Sequence, residues 1–300
     1  MDFSARREKE GRAIKVVRTV EEMKALSREI RQKGQRLGFV PTMGFFHEGH
    51  LALMRYARPR CDQLVVSLFV NPIQFGPRED FREYPRDFER DAKLAQGEGV
   101  DILFAPEAED MYPQGFQTYV EVTELSKPLC GAKRPWHFRG VATVVLKLFN
   151  IVNPHFAVFG LKDYQQFLVI RQMVRDLNLD IEILGHPIVR EPDGLAMSSR
   201  NIYLSPEERK SALCLYQALE LAKRRVAEGV REVAALTEEL SQFISSHPYT
   251  RIDYIEFRHP ETLAEVTEIK GPTLLALAVF VGRARLIDNA IIGQNDYSIS

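Results

Sequence analysis

Cysteine is scarce in this chain of 300 residues: Cys61, Cys130 and Cys214 are the three, and they lie far apart. No Cys-X-X-Cys pair occurs, so no disulfide framework is expected, and a reducing, cytoplasmic location fits. Net charge is almost absent as well. It is −1, from 40 Lys+Arg against 41 Asp+Glu, which argues against a general binder of nucleic acid or acidic surfaces. Long apolar runs are missing too. The longest, Leu274 to Val281, is far short of the roughly 20 residues that cross a bilayer. The first twelve residues are charged and lack an apolar core, so no signal peptide is expected. Gly-X-Gly-X-X-Gly and the P-loop pattern are absent, which weakens dehydrogenase and P-loop kinase readings. There is no Gly-X-Ser-X-Gly nucleophile elbow either.

What is present is an ordinary globular composition, 45% hydrophobic and 27% charged, over a length that suggests two domains. The most informative stretch is Pro41-Thr42-Met43-Gly44-Phe45-Phe46-His47-Glu48-Gly49-His50. It follows the apolar run Leu37 to Val40 and precedes an amphipathic stretch with Leu51 and Met54, an order that predicts strand, tight turn and helix start. Backbone N–H groups and the positive helix end meet anions at such turns. His47 and His50, three apart, are expected to share a face of the first helical turn and to donate to phosphate oxygens. The alternatives are a zinc pair or two surface histidines. No third ligand lies near in sequence, which disfavours zinc.

The first half of the chain alternates strand and helix. A capped helix is expected from Thr19 with Val20, Met23, Leu26 and Ile30, then strands at 37–40, 64–70 and 101–104, with a helix starting at Tyr84-Pro85. The stretch 105–139, punctuated by four prolines, is expected to be functional or lid-like. An apolar helix over 141–151, a strand over 155–159, a helix after Gly160 and a strand at 181–184 complete an α/β domain with a parallel sheet. Punctuation at 186–195 marks a boundary. Ser205-Pro206 then opens a helix, Val233 to Phe243 forms another, and strands are expected at 251–258, 273–281 and 284–288. The expected domains are 1–188, a Rossmann-like nucleotide-binding unit with a flexible arm at 1–13, and 189–300, a smaller α+β unit acting as a lid.

Three further groups can carry chemistry. Gly160, Leu161, Lys162, Asp163 and Gln166 form a second strand-to-helix turn suited to phosphate or ribose, or simply a capped surface helix. Met197, Ser198, Ser199 and Arg200 read as a mobile anion clamp at the boundary, or as an ordinary polar linker. Lys133, Arg134, Trp136, His137 and Arg139 make a basic aromatic cluster. There, core packing of Trp136 with exposed cations is favoured over an RNA-contacting loop.

Taken together, Pro41 to His50, Phe69 to Phe75, His137 to Gly140, Phe159 to Gln166 and Arg190 to Asn201 resemble the pantothenate synthetase (pantoate–β-alanine ligase) family, from about residue 14 to Asn289. The wider nucleotidyltransferase fold, which includes class I aminoacyl-tRNA synthetases, shares the His-X-Gly-His turn and the Met-Ser loop. The resemblance implies an ATP-dependent ligase that joins pantoate to β-alanine through a pantoyl-adenylate, with Mg2+ on the ATP phosphates and two copies in a homodimer. It implies a nucleotide site at Met43, Gly44, Phe45, Phe46, His47, Glu48, Gly49, His50, Gly160, Leu161, Lys162, Asp163, Val189, Met197, Ser198, Ser199 and Arg200. Gln74, Gln166 and Asn71 fall to pantoate and β-alanine. Catalysis falls to His50, His47, Lys162 and Arg200, with His50 as proton donor. Leu161 stands where relatives carry a polar residue, and Phe280 where a basic one is common. An adenylyltransferase for another acid and a non-catalytic RNA-binding module remain the rivals.

Overall fold

The structure is a computed structural model that describes residues 13–77 and 79–293. The expected charged arm lies outside the described residues except at its last position. The chain divides into two compact units. One runs up to Leu161 and resumes at Gln166–His186, and the other comprises Lys162–Gln165 and the chain from Pro187 onward.

The first unit is a six-stranded sheet, parallel in every pairing. Its strands are β1 (Lys15–Val17), β2 (Leu37–Thr42), β3 (Gln63–Leu68), β4 (Ile102–Phe104), β5 (Phe156–Gly160) and β6 (Glu182–His186). They lie in the order β1-β4-β3-β2-β5-β6. β1 falls between the expected arm and the first helix and carries no signal of its own. Three residues are too few to show a period, and pairing with β4 is what makes them a strand.

Helices α1 (Val20–Gln32), α2 (Glu48–Ala57), α3 (Phe88–Gly97), α4 (His137–Val152) and α5 (Tyr164–Asp176) connect these strands. Strand alternation divides their packing between two faces. Val40, Leu64, Val66, Phe156 and Val158 bury against Leu53, Met54 and Ala57 of α2 and Ala95 of α3. On the other face Phe39 and Phe159 each meet Phe149 of α4 edge-on, with centroids 6.4 Å apart. Thr19 caps α1 by accepting from Glu22 N at 3.3 Å, as its sequence predicts.

α3 starts later than Tyr84-Pro85. Its cap is Asp87, which accepts from Arg90 N at 3.1 Å, while Arg86 binds the carbonyls of Tyr84 and Phe81 and holds that stretch as a loop.

The second unit sets α6 (Pro206–Ala212), α7 (Cys214–Ala227) and α8 (Val233–Ser245) on an antiparallel sheet. Its strands are β7 (Thr250–Arg258), β8 (Thr273–Val281) and β9 (Ala284–Ile292). Ser205 and Glu208 form the capping box expected from their spacing. The helix pattern that follows divides at Leu213 into two helices. Leu215, Leu219, Ala222 and Val226, at helical spacing along α7, face this unit's core.

Candidate active site

The strand order reverses at β2. The chain runs from β2 through β3 to β4 on one side, then places β5 and β6 on the other. Ligands of open α/β sheets bind beyond the carboxyl ends of the strands at such a switch point. Pairing of β2 with β5 covers only Gly38–Phe39 against Phe156–Ala157, so these strands part before their carboxyl ends. β2 and β3 stay paired through Thr42 and Leu68. The turns after β2, β3 and β5 therefore share one edge of the sheet.

The turn after β2 is held from outside. Gly44 and Phe45 both have positive φ, +83° and +52°. Asp91 on α3 reaches this turn and accepts from Phe45 N at 2.6 Å and Phe46 N at 2.8 Å. Its neighbour Arg90 donates to Phe46 O at 2.8 Å. Thr42 Oγ1 accepts from Gly44 N at 3.2 Å and donates to Ser67 O at 2.6 Å. Burial pushes the Asp91 carboxyl up, while the two backbone N–H groups and Arg90 pull the other way.

This held turn delivers both histidines to the start of α2. His47 is the cap and its Nδ1 accepts from Gly49 N at 3.1 Å, while His50 Nδ1 accepts from His47 N at 3.3 Å. In a neutral ring an accepting Nδ1 leaves the proton on Nε2, so each imidazole is an Nε2–H donor. The two rings lie 4.1 Å apart, centroid to centroid. Glu48 points its carboxylate along α2 to Arg55.

After β3 comes a single turn, Pro72–Gln74, with Asn71 as its cap. Asn71 and Gln74 are buried. Asn71 Nδ2 donates to Gln74 Oε1 at 3.0 Å and to Gly140 O at 3.1 Å, and Gln74 Nε2 lies 3.1 Å from Met43 Sδ. Gly140 on α4 permits this approach, because a Cβ there would sit 2.5 Å from Ile73 O. After β5, Gly160 has open space around its Cα, and Gln166 stands half-buried on the first turns of α5. Leu161 lies over Gly185, where an added Cβ would come within 2.8 Å of its side chain. Its contribution there is apolar.

In the second unit, Lys162 O accepts from Asn289 Nδ2 at 2.9 Å and Lys162 Nζ lies 3.2 Å from Asp163 Oδ2. Val189 to Met197 forms a tight hairpin whose turn includes Gly194 at φ +99°, and Met197 N donates to Val189 O at 3.0 Å. Arg190 inside this hairpin makes a two-pronged pair with buried Asp288, at 2.6 and 2.9 Å. Ser198 then caps the turn Ser199–Tyr203, accepting from Arg200 N at 3.2 Å.

A family model described as Pantoate-beta-alanine ligase matches residues 15–291. A pantothenate synthetase of Syntrophobacter fumaroxidans is 59% identical over 279 residues, 93% of this chain and 99% of that protein. The chain belongs to the pantoate–β-alanine ligase family. Among solved structures, a pantothenate synthetase of Thermus thermophilus matches with a TM-score of 0.87 at 48% identity, over 92% of this chain and 99% of that one. A pantoate–β-alanine ligase of Francisella tularensis, complexed with β,γ-ATP and β-alanine, matches at 0.78 and 32% identity, over 93% and 98%.

Within this ligase fold the structure gathers Met43 to His50, Asn71, Gln74, Gly160, Leu161 and Gln166 on the first unit. It gives Lys162, Asp163, Val189 and Met197 to Arg200 to the second. Two expectations are corrected. Trp136 is 42% exposed and lies over Gly76 instead of in the core, and Arg134 is paired with Glu79 instead of exposed. An indole beside a glycine needs no core position to be packed. Sequence reading missed Asp91, Arg90, Tyr112 and Gly140's close approach. Asp91 gives no local signal, since its partners lie 45 and 46 residues away.

Asp91→Ala is expected to remove the two bonds that Asp91 accepts from Phe45 and Phe46 in the turn, costing about 1–3 kcal/mol. Urea unfolding reads the loss, and amide hydrogen exchange should quicken first at those two residues. Unchanged stability and exchange would show that the turn holds itself.

Proposed function

We propose that this chain condenses pantoate with β-alanine at the expense of ATP, through a pantoyl-adenylate, releasing AMP and pyrophosphate. The observation that carries the reading is the crevice edge of the first unit. There a pair of Nε2–H imidazoles at a helix N-terminus stands beside the buried Asn71–Gln74 amides. Imidazoles and helix N–H groups suit a triphosphate, and the amides suit a small hydroxy-acid.

The first step needs no base. A carboxylate with a pKa of about 4 is ionised at neutral pH. One of its oxygens forms the bond to the α-phosphorus, and the bond from that phosphorus to the bridging oxygen breaks as pyrophosphate leaves. The chain must hold these groups in line and offset the charge that develops on the phosphates. His47 and His50 take that role in this reading, His50 as proton donor, with Met43 to Gly49 and Gly160 to Asp163 lining the nucleotide. Lys162, Ser198, Ser199 and Arg200 add donors, and Val189 and Met197 belong to the same nucleotide site. Gln74, Gln166 and Asn71 hold pantoate, with Gln74 also toward β-alanine. In the second step the neutral amine nitrogen bonds to the acyl carbon, the bond from that carbon to the phosphate oxygen breaks as AMP departs, and the nitrogen releases one proton to solvent.

Mg2+ belongs to this reading as a partner of the ATP phosphates. Among the described residues no group of three or more His, Cys, Asp or Glu side chains is placed to hold a metal ion. The three free thiols fit a cytoplasmic enzyme. The resemblance to the family supports a homodimer, and also a reading of 1–188 as the ATP and pantoate domain with 189–300 as its lid.

Pantoate-dependent exchange of labelled pyrophosphate into ATP tests the reaction. Exchange with pantoate and none without it is expected, and exchange driven by a different acid alone would overturn the substrate assignment. In the same assay His50→Ala should fold normally and lose at least about 10²-fold in rate, as when a positioned donor is removed. Near-parental exchange would make His50 structural.

Arg200→Ala is expected to slow exchange in the same assay. Arg200→Lys should rescue it only in part, because an ammonium cannot grip two phosphate oxygens as a planar fork does. Full rescue by lysine would reduce the residue to a point charge.

A further inference from the structure

The stretch 105–139, flagged by its prolines, contributes one side chain to the buried amides. Tyr112 follows the one-turn helix Ala108–Met111, and its hydroxyl lies 2.7 Å from Asn71 Oδ1. The polarity of every bond in this group follows from one atom. Gly140 O is a backbone carbonyl and can only accept, so the Asn71 atom 3.1 Å from it is the amide nitrogen. Asn71 then turns its oxygen to Tyr112, and the phenol must donate. The second N–H of Asn71 goes to the Gln74 atom 3.0 Å away, which must be the carbonyl oxygen. Gln74 is left with its NH2 on the Met43 side.

We infer that Tyr112 is a positioning residue for pantoate, acting through Asn71 to hold the Gln74 amide with its N–H groups toward the substrate. The inference rests on the functional reading above. A carboxylate or hydroxyl ligand gains from an N–H donor at Gln74 and would be repelled by a carbonyl oxygen in its place. Asn71 is 1% exposed, so its oxygen has no water to turn to if Tyr112 is cut back. The phenol is itself well placed to stay put. Its ring packs on Phe69 and edge-on against Phe116, and Lys147 Nζ lies 5.7 Å from its centroid. Burial raises the phenol's pKa, with Tyr119 adding to the rise, so the hydroxyl keeps the proton it donates at neutral pH.

Tyr112→Phe deletes the donor and keeps the ring. Steady-state kinetics should show the pantoate KM raised about fivefold to tenfold, as for loss of one neutral hydrogen bond in a buried chain. The ATP KM should hold. A merely structural role would instead move both substrates together. Coupling gives the sharper readout. In a Gln74→Ala background, Tyr112→Phe should add no further rise in pantoate KM, because the amide it orients is gone. Should Tyr112→Phe fold poorly by circular dichroism, Asn71→Asp cuts the same relay one bond later, keeps the tyrosine contact, and should raise pantoate KM likewise.

A parent enzyme without pantoate-dependent exchange would sink the functional reading. A parent with normal exchange, and effects of Tyr112→Phe and Gln74→Ala that simply add, would sink the relay alone. So would a pantoate KM left unchanged.

Discussion

The hold of one buried carboxylate on two backbone amides is the constraint on which the site depends. Gly44 and Phe45 stand in the left-handed region, which disfavours a residue with a side chain such as Phe45 by roughly 1–2 kcal/mol. A turn of that shape does not persist unaided; the surrounding structure must over-determine it. Asp91 does so with two short N–H bonds, and Arg90 adds a third at the Phe46 carbonyl. Gly44 tolerates the crowding because a Cβ there would already sit 3.1 Å from both Asp91 and Leu68. Everything downstream inherits this geometry. The turn sets where α2 begins, the start of α2 sets His47 as cap and His50 as its partner, and their mutual capping sets which nitrogen carries each proton.

Local physics was legible in the sequence, and contacts across the chain were not. The strand before the histidines and the caps at Thr19 and Ser205 follow from spacing within a few residues. So does the change from an alternating α/β texture to helices followed by strands. The apolar face expected after Gly160 holds for Phe167, Ile170 and Val174 but not for Leu177, which lies past the end of α5 and is 47% exposed. β1 was hidden because three residues carry no period, and its strand exists only through β4. The start of α3 was misplaced because proline at a first turn is a weaker signal than an aspartate whose side chain reaches N3. In the site, the motif residues stand out in the sequence, and the structure gathers Met43 to His50, Asn71, Gln74, Gly160, Leu161 and Gln166 on the first unit. Asp91 and Tyr112 do not stand out in the sequence, since each acts on a partner about forty residues away.

The second unit solves the same problem with a different pairing. The hairpin of Val189 to Met197 is pinned from inside by Arg190, whose guanidinium grips Asp288 with both prongs and also donates to Gly194 O at 3.0 Å. Burial pushes the Asp288 carboxyl up, and Arg190 is the chief group pulling it back. A buried ion pair of this kind is weak evidence for stability, since desolvation offsets much of the attraction. Its value here is geometric. Gly194 lies so close to the Tyr216 ring that no side chain fits, and Asn289, next to Asp288, fixes the backbone of Lys162.

Both units thus commit their buried carboxylates to the protein's own backbone and cations, and that choice shapes the chemistry left over. Asp91 faces amides and Asp288 faces arginine, so neither adds negative charge where a ligand would meet it. What the motif residues of the first unit offer is mostly donors: two imidazole Nε2–H groups and a glutamine NH2. Donors of that kind favour ligands rich in anionic oxygen. A triphosphate and a hydroxy-acid carboxylate are both of that kind. The amine substrate is the exception, and it is the one that must arrive without its proton in order to react.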